Sequence, residues 1–447
     1  MIDKSDADER EGIFMIDASH DYVKDGNKNR LREQDIYKIV TTFNEQITTD
    51  PKYARFVPND EIKIKNDYNL NIPRYIDSSI PEDLQDIEAH LHGGIPAADV
   101  DSMERYWALF PKLKDKLFSP LRDGYYKLNI DKDDVRSTIY ADEEFSAYAE
   151  RIDMAFNAWM NDVDYSLRNI DEFVQIKKYI VDLSEILIAK YADIELVDKY
   201  DVYQVLLSYW QEVMADDVFV LVQDGYEAGR ETEDIYEISE DKKTKKEKKK
   251  YKGWEGKLIP KALIEAAFFA AERAKIDEAQ AICDETQGKL DELVEEHTAE
   301  GGILADYLND KDAVDAKAVN AKIKELKKTD PKSEEFVILC EYAALSTKVK
   351  EYTKLVKDLN AALDEACKAK YAELTIEEIK ELLVNRKWYY TIFEGIKALY
   401  VTTSHEIANR ISELAERYED TLPSLENEVE SYEAKVKAHL ERMGFKW

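Results

Sequence analysis

Residues 12–44 combine two hydrophobic periods, and each period predicts a different element. Residues 13–16 form a short apolar run typical of a buried strand. Turn residues follow at 24–27, and apolar side chains then recur at helical spacing: Leu31, Ile36, Ile39, Val40 and Phe43. A strand, a basic polar loop and a helix form one half of a parallel α/β crossover. Because such a half needs neighbours on both faces, we expect the end of a domain whose body is missing.

The pattern becomes less regular between residues 45 and 77. Residues 53–59 and 61–67 are polar, which predicts a loop and a short helix. Residues 68–75 alternate between apolar and polar side chains, with Pro73 near the end, as in an edge strand. Residues 1–3 are interpreted as the tail of a further strand.

Beyond residue 77 the helical period dominates. One helix, opened by Pro81, is predicted to end at Gly93-Gly94, and another follows Pro96. A wide aromatic stripe then extends over several turns, which predicts core packing instead of a cofactor site. Its residues are Phe145, Tyr148, Ile152, Phe156 and Trp159.

A second set of helices lies between residues 254 and 374. Gly301-Gly302 breaks the first of them, residues 313–327 predict a short helix, and residues 334–374 predict a long charged one. Long charged helices of this kind pair as antiparallel hairpins. Before them, residues 241–250 form a lysine-rich run, either a solvated loop or a phosphate-binding one.

The C-terminal region has the most regular pattern. Thr375 and Glu378 predict a capping box, residues 388–414 predict a helix, and Pro423 restarts the helical pattern. A narrow apolar row then recurs at spacings of three and four, and we call it the C-terminal apolar stripe. Its members are Leu422, Leu425, Val429, Tyr432, Val436 and Leu440. The stripe suits one or two facing helices, either in the chain's own bundle or in a partner protein.

These patterns predict a mainly α protein in three regions. Residues 1–77 form the short α/β part, residues 78–253 a helical middle ending in the lysine-rich loop, and residues 254–447 a C-terminal helical bundle or coiled-coil region that binds a partner. At 447 residues the chain is long enough to bury a sizeable core.

Charge restricts how such a chain could bind nucleic acid. The net charge is −32, so the surface as a whole repels phosphate, and any DNA contact must come from local basic patches or a companion chain. One such patch lies in the loop before the first helix, and its candidate DNA-contact residues are Lys24, Asn27, Lys28, Asn29, Arg30 and Arg32. Alternatively, Arg30 and Arg32 pair with nearby carboxylates such as Glu33.

Several common chemistries find no support in the sequence. Cys283, Cys340 and Cys367 have neither disulfide-framework nor zinc-site spacing, and no GxxxxGK phosphate loop occurs. His90 and His92 form the only close histidine pair, and their place before Gly93 predicts a helix end instead of a metal site. No catalytic or metal-binding residue is therefore assigned. The chain has no apolar segment long enough for a membrane span and no signal-peptide pattern, which predicts a cytoplasmic protein without a membrane partner.

Several segments carry a family resemblance. GIFMIDAS, NKNRLREQDIYKIV and DYNLNIPRYID are similar to the segment that ends the catalytic domain of type I restriction-modification DNA methyltransferase M subunits. The resemblance continues through IEAHLHGGIPAADVDSMERYW and GWEGKLIPKALIEAAFFAAERAKID into the C-terminal ISELAERYEDTLPSLENEVESYEAKVKAHLERMGFKW. It implies that residues 1–77 are the C-terminal edge of a Rossmann-like methyltransferase domain.

The resemblance also implies partners and a cofactor. The family transfers a methyl group from S-adenosylmethionine to adenine N6 in DNA, and its C-terminal helices dock on the specificity subunit. The implied partners are that subunit, the restriction subunit, DNA through the complex and a separately encoded N-terminal methyltransferase half.

The catalytic motifs of the family are missing from this chain. No Pro-Pro pair occurs, so there is no Asn/Asp-Pro-Pro-aromatic tetrapeptide to hold a flipped adenine, and no glycine-rich turn follows the first strand. We therefore expect no cofactor in this chain and no activity when it is alone. The alternative function is a free-standing helical scaffold without a DNA role, which would not need the α/β part.

Overall fold

The computed structural model describes residues 9–48, 50–79, 84–240, 247–299, 301–309 and 312–445. Helices hold 68% of the residues and strands 10%, which confirms the predicted mainly α class. None of the described helices is long and apolar enough to cross a lipid bilayer.

The strands are short and pair in separate small sheets. In chain order they are β1 (Gly12–Ile16), β2 (Val23–Asp25), β3 (Lys28–Arg30), β4 (Ala54–Pro58), β5 (Ile95–Pro96), β6 (Phe118–Arg122), β7 (Tyr125–Leu128), β8 (Thr232–Glu240) and β9 (Glu247–Gly256). The sheets are β1–β4, β2–β3, β5–β7–β6 and β8–β9, and the recorded pairings are antiparallel.

The helices vary from one turn to eleven. In chain order they are α1 (Glu33–Glu45), α2 (Ile87–His92), α3 (Ala97–Asp101), α4 (Glu104–Trp107), α5 (Pro111–Leu117), α6 (Val135–Tyr140), α7 (Glu143–Leu167), α8 (Ile176–Tyr191), α9 (Lys199–Tyr209), α10 (Ala215–Asp224), α11 (Lys261–Phe268), α12 (Ala270–Thr298), α13 (Ala316–Thr329), α14 (Glu334–Glu373), α15 (Ile376–Lys380), α16 (Tyr390–Arg417) and α17 (Leu422–Arg442). Within the described residues, single 3₁₀ turns and three π-helical segments, at Glu61–Lys65, Trp210–Met214 and Glu381–Tyr389, complete the secondary structure.

The N-terminal α/β part differs from the predicted parallel crossover. β1 pairs antiparallel with β4, with Met15 opposite Arg55, so the segment predicted as a loop at 53–59 contains a strand. The reason lies in β4 itself, where Ala54 and Val57 are buried and Val57 packs in a small core with Met15. The expected Rossmann-like arrangement is not confirmed.

The predicted edge strand at 68–75 is also wrong. Asp67 and Tyr68 adopt positive φ angles, and Ile72–Arg74 forms a 3₁₀ turn in which Pro73 supplies its fixed φ. The Tyr75 backbone N–H donates to the Ile72 carbonyl at 2.8 Å, which closes the turn. The predictions for residues 1–3 and Pro81 lie outside the described residues.

The chain divides into two compact units, residues 1–219 with 388–447 and residues 220–387. The three predicted regions, with boundaries after residues 77 and 253, stay predictions. In the first unit the predicted aromatic stripe of α7 is buried, which confirms its role in the core. Trp388 is fully buried, and its indole N–H donates to the buried Asp217 carboxylate at 2.9 Å.

The second unit contains the β8–β9 hairpin and the paired helices α12 and α14. Cys283 of α12 lies against Val349 and Thr353, while Leu290 and Val294 pack near Leu339, so the two helices run antiparallel as predicted. The lysine-rich run is in part a strand instead of a loop, because residues 247–250 pair with β8. Residues 241–246 of that run lie outside the described residues.

Candidate functional site

The predicted DNA-contact residues come together on one β-hairpin and the turn that follows it. β2 and β3 form this hairpin, residues 23–30, which we call the basic hairpin; Lys24 lies opposite Asn29, and Asp25 opposite Lys28. Gly26 allows the tight connection because its φ of +59° lies in the left-handed region. Lys24, Asn27, Lys28, Asn29 and Arg30 are all exposed.

The two arginines of the set have carboxylate partners. Arg32 donates from Nε and Nη2 to the two Asp35 carboxylate oxygens at 3.0 and 2.9 Å, and its backbone N–H donates to Asp35 at 2.7 Å. Arg30 approaches Asp25 at 3.5 Å, and both side chains are about two-thirds exposed. The alternative of carboxylate pairing is therefore observed, although the partners are Asp35 and Asp25 instead of Glu33.

The Arg32–Asp35 pair caps the start of α1. Burial alone would raise the pKa of the Asp35 carboxyl, but the hydrogen bonds from Arg32 outweigh burial and lower this pKa below its usual value. Asp35 is therefore held ionised at the N-terminus of the helix, where the helix dipole favours a negative charge.

α1 packs through its polar side. The Gln34 side-chain amide donates to Asp201 at 2.6 Å, and its backbone N–H donates to Gln204 at 3.1 Å. Further along, the Thr41 and Tyr200 hydroxyls lie 2.8 Å apart. α1 therefore rests on α9 through hydrogen bonds and through ring contacts of Tyr37.

The apolar side of α1 remains open. Ile36, Val40 and Phe43 project within an arc of about 60° and are 45–63% exposed. We call these three residues the α1 apolar stripe. The same N-terminal segment exposes other large apolar side chains, among them Ile13, Phe56, Ile64 and Leu70. A contiguous apolar helix face in water is typical of an interaction surface.

The C-terminal apolar stripe is likewise open. None of the residues of α17, all of which the structure describes, is buried. The first five stripe residues, Leu422 to Val436, are 44–60% exposed, and Leu440 is half-buried. At 3.6 residues per turn the six side chains fall within an arc of about 80° and extend over about 27 Å. The stripe is therefore a largely exposed helix face in the described part of the chain.

The described residues contain no group of three or more His, Cys, Asp or Glu side chains arranged to hold a metal. His90 and His92 end α2 at Gly93, whose φ is +73°, as the sequence predicts. The His90 ring lies 5.0 Å from the Tyr418 ring and 3.2 Å from Gln85 Oε1, so it has a structural role.

Comparison with known proteins gives matches for the N-terminal part of the chain. The family model described as N-6 DNA Methylase matches residues 1–83. The first 83 residues are similar to N-6 DNA methylases. The methylase subunit of the type I restriction enzyme MpnII from Mycoplasma pneumoniae is 33% identical over 89 residues, 20% of this chain and 16% of that protein. The methylase subunit of the type I restriction enzyme MjaVIII from Methanocaldococcus jannaschii is 38% identical over 87 residues, 19% of this chain and 14% of that protein.

These comparisons confirm the resemblance for the N-terminal part. The chain matches between 14% and 16% of the length of these relatives. No solved structure matches the chain.

The family implies S-adenosylmethionine, and the residues of the matched segment do not fit this cofactor. Before Gly93 the sequence contains only Gly12 and Gly26, so no glycine-rich turn is available to approach the cofactor closely. Gly12 lies within β1, paired with Pro58, and Gly26 lies in the connection of the basic hairpin. Neither glycine therefore provides the glycine-rich turn that the cofactor would need.

Sequence reasoning missed the polar packing of α1. Gln34 and Asp201 are 167 positions apart, and no local signal marks a glutamine as buried. One hint was present. If a separate protein covers the apolar side of an amphipathic helix, the helix must pack on its own chain through its polar side.

Proposed function

We propose that this chain is the C-terminal part of the modification subunit of a type I restriction-modification system, which methylates adenine N6 in DNA. It binds the specificity subunit and helps to enclose DNA, while a separate catalytic half carries S-adenosylmethionine and transfers the methyl group. The restriction subunit joins through the assembled complex. The family match of residues 1–83 and the two type I methylase subunits among its relatives support this assignment.

The observation that carries the proposal is the open C-terminal apolar stripe. An isolated amphipathic helix gains little stability in water, so a regular row of large apolar side chains favours a packing partner. Because the stripe is narrow, it suits one or two helices of that partner. In type I systems the specificity subunit offers such helices, as the family resemblance implies.

The N-terminal segment provides the other two contacts. The α1 apolar stripe packs on the methyltransferase catalytic half, which supplies the apolar cover that α9 does not give. The basic hairpin then lies at the edge of that half and contacts DNA phosphates, because its exposed lysines and asparagines offer donors without a buried partner of their own.

Reconstitution tests the proposal. The chain is co-expressed with an N-6 methylase catalytic half and a specificity subunit, and we expect all three to elute together and to methylate adenine in duplex DNA. The chain alone should neither bind S-adenosylmethionine in calorimetry nor methylate DNA. Elution of the chain separately from both proteins would contradict the proposal, and elution as a self-assembled helical oligomer would favour a scaffold function.

A further inference from the structure

α13 presents a row of lysines on the side away from its core. Lys317, Lys324 and Lys328 are seven and four positions apart, so they fall within an arc of about 40° on the helix. We call these three residues the α13 lysine row. Val319 and Leu326 lie on the opposite side of the helix and are buried.

The row has no counter-charge among the described residues. Its three side chains are exposed, and no described carboxylate lies within ion-pair distance of them. By contrast, Lys322 on the flank of the helix pairs with Glu325 at 3.4 Å. Residues 316–332 hold six lysines and two carboxylates, a local excess of four positive charges in a chain of net charge −32. The charge of this segment is therefore opposite to that of the chain as a whole.

The row is held rigidly at one end of the α12–α14 helix pair. Val319 and Leu326 pack in a cluster with Ile338, Leu339 and Tyr342 at the N-terminal end of α14. The other end of α14 is anchored where the Tyr371 hydroxyl donates to the Ile259 carbonyl at 2.6 Å. At 1.5 Å per residue these two ends of α14 lie about 48 Å apart. The lysines thus project from the far end of a long arm within the second unit.

We propose that the α13 lysine row binds the phosphate backbone of duplex DNA, an inference that rests on the proposed function. Along the helix, Lys324 and Lys328 are about 6 Å apart and the whole row extends over about 16 Å. Duplex DNA carries one phosphate charge per about 1.7 Å of axis, so a row of this length can contact several phosphates. Lysines act there as point charges, which fixes the position of the arm without reading sequence.

An acidic protein surface fits this face less well. Protein interfaces are enriched in aromatic side chains and arginine and depleted in lysine. The outward face of α13 offers Ala321 and Asn320 beside the lysines, so it lacks an apolar anchor. The lysine row therefore suits a partner whose binding is electrostatic.

The test uses the reconstituted complex and the salt dependence of its affinity for duplex DNA. Lys317→Gln, Lys324→Gln and Lys328→Gln are combined in one variant, and the affinity is measured between about 50 and 200 mM salt. We expect the slope of log K against log salt to fall by about 2 to 3, since each phosphate contact contributes about 0.9. Affinity for unrelated sequences should fall in parallel. An unchanged slope would overturn the proposal. The same result is expected if the row binds an acidic protein instead of DNA.

A matched control separates local contact from net charge. Lys350→Gln, Lys354→Gln and Lys357→Gln remove the same three charges from one exposed face of α14, and this variant should keep the original slope. An equal loss of slope in both variants would overturn the proposal, because the effect would then follow net charge.

Failure of the proposed function has a different signature. In that case the three proteins do not elute together, and the chain alone is tested for retardation of duplex DNA at low salt. Retardation that is lost in the α13 variant and kept in the α14 variant would support the lysine row independently. Absence of retardation in the unmodified chain would overturn it.

Discussion

The side-chain amide of Gln34 donates to the Asp201 carboxylate at 2.6 Å and so fixes the polar side of α1 on α9. Together with the Thr41–Tyr200 contact, it sets which side of α1 remains accessible. With Gln34 and Thr41 facing α9, the α1 apolar stripe points away from it.

The Gln34–Asp201 contact should stabilise α1 measurably. Asp201→Ala leaves the nearly buried Gln34 amide without its acceptor, which costs about 1–3 kcal/mol. We expect hydrogen exchange in residues 33–45 to accelerate by about fivefold or more, while α14 is unaffected. Asp193→Ala, an exposed position before α9, is the control and should leave exchange unchanged. Equal protection in the Asp201 variant would show that α1 is held by other contacts.

The α1 apolar stripe should be the contact with the methyltransferase catalytic half. Adding that half in trans should slow hydrogen exchange in residues 12–44, which we expect to be less protected than the helical body in the isolated chain. Val40→Glu with Phe43→Glu should reduce the association more than tenfold, because both side chains would be buried on binding. Asn44→Glu adds a negative charge beside the stripe and should have little effect. Slow exchange throughout residues 12–44 without the added half would argue against an uncovered domain edge.

Features that depend on neighbouring residues can be predicted from this sequence, and features that depend on distant pairings cannot. The long helix α14 and the capping box of Thr375 with Glu378 follow from local periodicity and cap chemistry, and the structure confirms them. The helix predicted at 388–414 is also present, although α16 extends from Tyr390 to Arg417. The pairing of β1 with β4 is not predictable in this way, because Arg55 and Pro58 interrupt the apolar pattern of a strand that only its buried positions define.

The same distinction applies to the functional surfaces. The basic residues of the hairpin are visible as a local cluster in the sequence, and the C-terminal apolar stripe is visible as a repeat at spacings of three and four. The sequence indicates carboxylate partners for Arg30 and Arg32 but not which ones, since hairpin register and cap geometry select Asp25 and Asp35. The α13 lysine row becomes apparent only in the folded helix, where the buried Val319 and Leu326 define which side faces outward.

Acid should weaken the start of α1 through Asp35. Because the folded-state pKa of Asp35 is lowered, its contribution to stability is fully present above its unfolded value near pH 4 and is lost as the pH falls through the folded pKa. The difference in exchange protection of α1 between the natural chain and Asp35→Asn should therefore be constant near neutral pH and shrink below about pH 4. Glu33→Gln, an exposed first-turn position, should not reproduce this pH dependence. If the difference persists at low pH, Asp35→Asn acts through lost packing and not through the lost charge.

The basic hairpin should contribute to DNA affinity without sequence preference. The exposed Arg30–Asp25 pair is worth at most about 1 kcal/mol, so Arg30 can exchange its partner for a phosphate. In the reconstituted complex, Lys28→Ala with Arg30→Ala should weaken binding to all sequences similarly and reduce the salt slope by about one per lost contact. Asp25→Asn, which frees Arg30, should leave the slope unchanged or steeper. If the double variant keeps the original slope, the hairpin is a solvated feature of the surface.

The C-terminal apolar stripe should be the site where the specificity subunit binds. Leu425 and Val429 lie one turn apart in its N-terminal half and are 44% and 56% exposed in the free chain, so replacing them removes little from the chain's own core. Truncating a leucine that becomes buried costs about 2–5 kcal/mol, and in an interface this reduces affinity more than tenfold. Leu425→Ala with Val429→Ala should therefore abolish co-purification with the specificity subunit.

Two measurements make this last prediction decisive. Circular dichroism and the thermal transition of the double variant should match the natural chain, because none of the residues of α17 is buried. Glu426→Ala with Glu430→Ala, on the polar side of α17, is the matched control and should leave co-purification intact. Loss of helicity in the double variant would instead show that the stripe packs within the chain's own bundle. The partner would then have to bind an exposed face of α16, where Tyr390 is 60% exposed.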